Sequence, residues 1–157
     1  VRVTKAEEYG IRLVMALAAN GEQLSVRELA ECEGLPEATI AKILARLRKA
    51  DLVVAERGRN GGYSLAAPAA DVTIAAVVGA FEDGMYDAGF CSRMNPDGVT
   101  CARASSCGLR PVWRGLTAVI GDFLSRITVA DLLHGRAVPS IAPTDTLPQL
   151  NGSRGTP

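Results

Sequence analysis

The sequence predicts a mainly α-helical fold with one small β-hairpin and a long late helix. Three observations carry this expectation. Thr4-Lys5-Ala6-Glu7 and Ser25-Val26-Arg27-Glu28 both have the S/T-x-x-E pattern in which a hydroxyl and a carboxylate cap a helix start reciprocally. Leu52-Val53-Val54-Ala55 and Tyr63-Ser64-Leu65 are short strand-like runs on either side of a glycine-rich stretch containing Asn60-Gly61. Leu109, Val112, Trp113, Leu116, Val119, Ile120, Phe123, Leu124 and Ile127 recur at helical spacing.

The first capping box opens a helix that runs to about Asn20, with Ile11, Val14, Leu17 and Ala18 on one face. Asn20-Gly21 stops it. The second opens a short helix ending near Glu33, and Gly34 provides a tight turn. Pro36 starts a third helix reaching about Ala50. Its apolar stripe is Ile40, Ile43, Leu44 and Leu47, while Thr39, Lys42, Arg46 and Lys49 point away. Two short helices joined by a glycine turn make a helix-turn-helix, whose second member enters the DNA major groove. The hairpin that follows carries Arg57 and Arg59 at its tip and reads as a wing suited to a narrow minor groove. Thr73 caps a further helix extending to about Phe81. The long helix from Leu109 to about Ile127 accepts Pro111 in its first turn. Its apolar stripe is too wide for so small a core, which points to pairing with the same helix of a second subunit. Thr128 to His134 forms a short final helix. Beyond it the proline- and glycine-rich tail lacks the composition to fold.

Formal net charge is zero, yet six cations face two anions between Thr39 and Asn60. A local basic stripe on a neutral chain is a footprint for a phosphate backbone, although a solvated helix face gives the same pattern. No apolar run approaches the length of a membrane span, and the amphipathic first twenty residues do not fit a signal peptide. A cytoplasmic location is expected, where thiols stay reduced and structural disulfides are rare.

Cys91, Cys101 and Cys107 follow a C-x9-C-x5-C spacing within a stretch of turn-forming residues. Three thiols in one loop suit an iron–sulfur cluster or zinc, both of which usually take four ligands. A pair of them also suits a reversible disulfide. Cys32 stands apart beside Leu29 and Ala30 and reads as a small buried hydrophobe. His134 is the only histidine, and its place at a helix end fits dipole complementarity better than ligation. With no Gly-rich phosphate loop and no nucleophile near a base, an enzyme is not expected.

From Val1 to about Arg136 the chain resembles the Rrf-type winged-helix regulators, the IscR/NsrR/RirA group. The resemblance lies in Arg2-Val3-Thr4-Lys5-Ala6-Glu7-Glu8-Tyr9, the helix-turn-helix, Arg57-Gly58-Arg59-Asn60-Gly61-Gly62-Tyr63-Ser64-Leu65, and the cysteine loop leading to Trp113. It implies a homodimeric regulator of double-stranded operator DNA, controlled by an iron–sulfur cluster (4Fe–4S favoured, 2Fe–2S possible). Two features depart from its relatives. The first cysteine gap is wide, and Arg110 stands where the IscR kind places a ligand histidine. The NsrR kind carries an acidic residue near the start of its first helix that reaches the partner's cluster, and Glu8 occupies that position.

The expected organisation is a winged helix-turn-helix over 1–82, a cluster-binding loop over 83–108, a dimerisation helix with a short last helix over 109–134, and a disordered tail over 135–157. The expected metal ligands are Cys91, Cys101, Cys107 and Glu8. The expected DNA contacts are Arg2, Lys5, Thr39, Lys42, Arg46, Lys49, Arg57 and Arg59. A cluster-free thiol-switch repressor and an iron–sulfur electron carrier are the other readings that three thiols allow.

Overall fold

The computed structural model describes residues 3–56, 58, 61–81 and 106–136. Helix α1 (Lys5–Asn20) is held at its start by the Thr4 hydroxyl, which accepts from the Glu7 N–H, while the Glu7 carboxylate accepts from the Thr4 N–H. Glu7 is only 2% exposed, so this cap is built into the core margin. Gly21 closes α1 with a left-handed φ of 71°. Helix α2 (Val26–Glu33) repeats the design with Ser25 and Glu28, and Gly34 ends it at φ 64°. Helix α3 (Glu37–Lys49) follows. It closes without glycine: Asp51 takes φ 56°, a conformation short polar residues tolerate best. The Leu52 N–H reaches back to the Leu47 carbonyl (3.0 Å) and the Asp51 N–H to Arg48 (3.1 Å), a Schellman ending.

Strands β1 (Val53–Ala55) and β2 (Tyr63–Leu65) pair antiparallel, Val53 with Leu65 and Ala55 with Tyr63. A further bridge joins Tyr63 to Leu24, with N–H···O distances of 2.8 and 3.0 Å in the two directions. Gly62 is required for it, because a Cβ there would lie 2.8 Å from the Leu24 backbone. Helix α4 (Ile74–Gly79) is capped by the Thr73 hydroxyl. Helix α5 (Leu109–Ser125) is the long late helix, and α6 (Val129–Leu133) ends the described chain under a third capping box, Thr128 with Asp131.

The core gathers Leu13, Val14 and Leu17 of α1, Leu29 of α2, the α3 stripe Ile40, Ile43, Leu44 and Leu47, and Val53, Val77 and Val129. Helix α5 contributes differently. None of its residues is buried. Phe123 and Leu124, near its C-terminal end, pack against the core, whereas Leu109, Val112, Trp113, Leu116 and Val119 remain exposed. The helix is therefore anchored at one end and carries an uncovered apolar stripe along the rest.

Candidate nucleic-acid interface and cysteine segment

The exposed side of α3 presents Lys42, Arg46, Arg48 and Lys49, with Thr39 half-buried at its margin. Three of these cations lie in the last turn, where they also complement the negative end of the helix dipole. Lys42 lies a turn earlier. Lys5 is exposed at the start of α1. The hairpin follows α3 directly, and Leu24–Tyr63 pairing pins its second strand to the α1–α2 connector. Helix-turn-helix and hairpin are thus one packed unit. Arg2, Arg57 and Arg59 lie outside the described residues.

Arg46 differs from its neighbours. Its Nη1 donates to the Phe81 carbonyl at 3.0 Å, and the guanidinium carbon lies 5.9 Å from the centroid of the Phe81 ring. Sequence periodicity placed Arg46 on the outward side but gave no sign of this partner, 35 residues further along the chain. A second unforeseen tie is Arg12, which pairs with the Glu33 carboxylate (2.7 Å) and carbonyl (2.9 Å) and locks α1 to the end of α2.

Of the predicted ligands, Glu8 is exposed on the first turn of α1, with the neighbouring Glu7 taken up by the cap. Cys107 is half-buried immediately before α5, its carbonyl accepting from the Arg110 N–H at 3.3 Å. Cys91 and Cys101 lie outside the described residues. Among the described residues no three His, Cys, Asp or Glu side chains cluster in a way that holds a metal ion. His134 closes α6, its Nδ1 2.7 Å from the Ala130 carbonyl.

Cys32 corrects the sequence reading, for it is exposed rather than buried. The inward side of α2 is set by Leu29, with half-buried Val26, Ala30 and Glu33 around it. At 100° per residue, Cys32 falls about 110° from the centre of that arc. Glu33, held by Arg12, takes the inward position that a second apolar residue would have filled.

Two capping carboxylates have pKa values below their ordinary range. For Glu28 the causes are hydrogen bonds from the Ser25 hydroxyl and then from the Ser25 backbone N–H. For Asp131 they are the Thr128 hydroxyl and then the Thr128 N–H, with Arg136 adding attraction.

The family model for Rrf2, described as an iron-dependent transcriptional regulator, matches residues 3–135. The chain belongs to the Rrf2 family. Protein aau3 of Rhizobium meliloti (strain 1021) is 36% identical over 137 residues, 87% of each chain. The HTH-type transcriptional regulator IscR of Vibrio campbellii is 28% identical, covering 90% of this chain and 83% of its own. Among solved structures, T. potens IscR aligns over 90% of this chain and 93% of its own, with a TM-score of 0.63 and 27% identity. The cysteine regulator CymR of B. subtilis shares the fold, with a TM-score of 0.67 at 20% identity. The winged helix-turn-helix reading of α2, α3 and the hairpin is thereby established, and this Rrf2-family chain is a DNA-binding transcriptional regulator. No helix among the described residues is long and apolar enough to cross a membrane.

Proposed function

We propose that this Rrf2-family regulator acts as a homodimer on palindromic double-stranded operator DNA, with an affinity set by an iron–sulfur cluster held on Cys91, Cys101 and Cys107. The observation that carries this reading is the position of Cys107. The last of three thiols within seventeen residues stands two residues ahead of Leu109, the first residue of α5, the helix with the uncovered apolar stripe. Ligand segment and proposed dimer contact are therefore covalently continuous.

The donor set fits a cluster. Three thiolates would supply most of the binding, and a carboxylate from Glu8 of the opposite subunit would complete four ligands. Glu8 is exposed and unused by the cap, so it is available across an interface. A 4Fe–4S cluster is the favoured form, with 2Fe–2S the other. When bound, such a group would supply redox-sensitive iron, with the Glu8 carboxylate as an exchangeable oxygen donor open to displacement by oxidant or nitric oxide. The residues of this chain do the rest. Cys107 ties the ligand segment to α5, and the α5 end packs against the core beside α4. Lys42, Thr39 and Lys49 of α3 meet the major groove and its phosphates, with Lys5, Arg2, Arg57 and Arg59 as flanking contacts. The two recognition helices lie about one DNA turn apart, so a small change in their separation changes affinity strongly.

The test is anaerobic purification followed by iron analysis, visible spectroscopy and operator binding before and after cluster removal. Cys91→Ala, Cys101→Ala and Cys107→Ala each lose most of the iron and colour, whereas Cys32→Ala keeps both. Glu8→Ala keeps a cluster that has an altered spectrum and decays faster in air. A colourless protein whose DNA binding responds to oxidation points instead to a thiol switch.

A further inference from the structure

We propose that Arg46 is a positioning residue rather than a phosphate contact, tying the recognition helix α3 to the end of α4 through Phe81 and so coupling operator affinity to the cysteine segment. The inference rests on the function proposed above and adds the route by which its two parts communicate.

Phe81 stands where three helices meet. Its N–H donates to the Val78 carbonyl at 2.9 Å, closing the turn that follows α4. Its carbonyl and ring both receive the Arg46 guanidinium from α3. Its ring lies against Gly10 of α1 so closely that a Cβ there would sit 2.2 Å from Cε2 and 2.6 Å from Cζ. Only a residue without a side chain lets the ring in. The node is flanked by both proposed ligand regions: Glu8 lies two residues before Gly10, and Cys91 ten residues after Phe81. A shift at the end of α4 therefore reaches α3 through one charge-assisted hydrogen bond and one cation–π contact. Keeping both contacts holds the guanidinium over Phe81 instead of extended away from α3, although only Nη1 is committed to the carbonyl.

The two roles predict different data. Operator affinity is measured for the cluster-loaded and cluster-free forms of wild type, Arg46→Ala, Arg46→Lys, Phe81→Leu and Gly10→Ala across a salt series. If Arg46 positions α3, Arg46→Ala changes the two forms unequally, and the ratio of their affinities falls by about fivefold. The slope of log affinity against log salt stays at the wild-type value. Phe81→Leu and Gly10→Ala, which remove or displace the ring, lower the ratio as well. Arg46→Lys, which keeps a donor and a cation, restores part of it. If Arg46 contacts phosphate, Arg46→Ala weakens both forms by the same factor, reduces the salt slope by about one and leaves Phe81→Leu like wild type. That result overturns the proposal. A wild-type ratio of one refutes cluster control itself. The positioning role is then decided by the cluster-free affinities: it stands if Arg46→Ala and Phe81→Leu weaken binding alike at unchanged slope, and falls if the slope drops for Arg46→Ala alone.

Discussion

Val119→Glu tests the proposed dimer within the exposed stripe of α5. In the described chain Leu109, Val112 and Val119 of α5 are 60, 57 and 56% exposed, and Trp113 and Leu116 are each 39% exposed. Covering what remains open is equivalent to burying about two and a half whole side chains per protomer. At about 2 kcal/mol for each, this is worth about 5 kcal/mol per protomer and about 10 kcal/mol for a symmetric pair. Association costs on the order of 4–15 kcal/mol in lost translational and rotational freedom, so the stripe is of the size a dimer needs and has little surplus. Replacing Val119 by Glu removes about 1 kcal/mol of apolar burial and adds about 2 kcal/mol for desolvating a carboxyl without a partner. Twofold symmetry doubles the loss to about 6 kcal/mol, roughly ten-thousandfold in Kd. The monomer tolerates the change, because more than half of Val119 already faces water. Sedimentation equilibrium at micromolar protein is expected to show a dimer for wild type and a monomer for the variant, with unchanged helical circular dichroism. A variant that remains a dimer with wild-type Kd refutes the assignment of this stripe to the subunit contact.

Three further outcomes are expected. Leu44→Ala removes a fully buried residue from the middle of α3 and costs about 3 kcal/mol in urea denaturation, which also lowers the fraction of competent DNA-binding domain. Thr128→Val removes the hydroxyl that holds the Asp131 carboxyl below its ordinary pKa. The stability this adds to wild type is fully present above the ordinary carboxylate pKa and fades as pH falls through the lowered value. The difference between wild type and Thr128→Val in urea midpoints therefore shrinks on acidification, leaving the part due to the hydroxyl accepting the Asp131 N–H; a gap that widens in acid contradicts the assignment. Cys32, being exposed, reacts with a small alkylating reagent in native protein without unfolding, and peptide mass mapping that finds it protected contradicts the orientation of α2.

Local chemistry made most of the fold legible. Thr4, Ser25 and Thr73 cap the helices they precede, Gly21 and Gly34 end the first two in left-handed turns, and the whole α3 stripe from Ile40 to Leu47 is buried. Each of these signals acts over a few residues, within reach of side-chain hydrogen bonds or helical periodicity. The less legible features depend on contacts across the chain. Cys32 was misread because α2 is short and its inward arc is completed by an ion pair with Arg12, which no apolar pattern reveals. The tie from Arg46 to Phe81 was invisible for the same reason, as was the need for Gly10 beneath the ring. In the candidate site, the thiols and basic residues could be named from residue type and spacing, and the exposure of Glu8 follows from Glu7 filling the cap. Their mutual distances belong to the tertiary arrangement, and Cys91, Cys101, Arg57 and Arg59 lie outside the described residues.

The bridge between Leu24 and Tyr63 has a mechanical consequence. It ties the loop end of the hairpin, where Tyr63 also pairs with Ala55, to the connector between α1 and α2, with Gly62 admitting the approach. A reading head braced in this way has little internal play between its helix and its hairpin. Within the proposed dimer it would act as a stiff caliper jaw whose gape is set elsewhere. In the proposed dimer, two such jaws would discriminate among operators by the spacing of their half-sites, and inserting or deleting one base pair between those half-sites would be felt by both jaws.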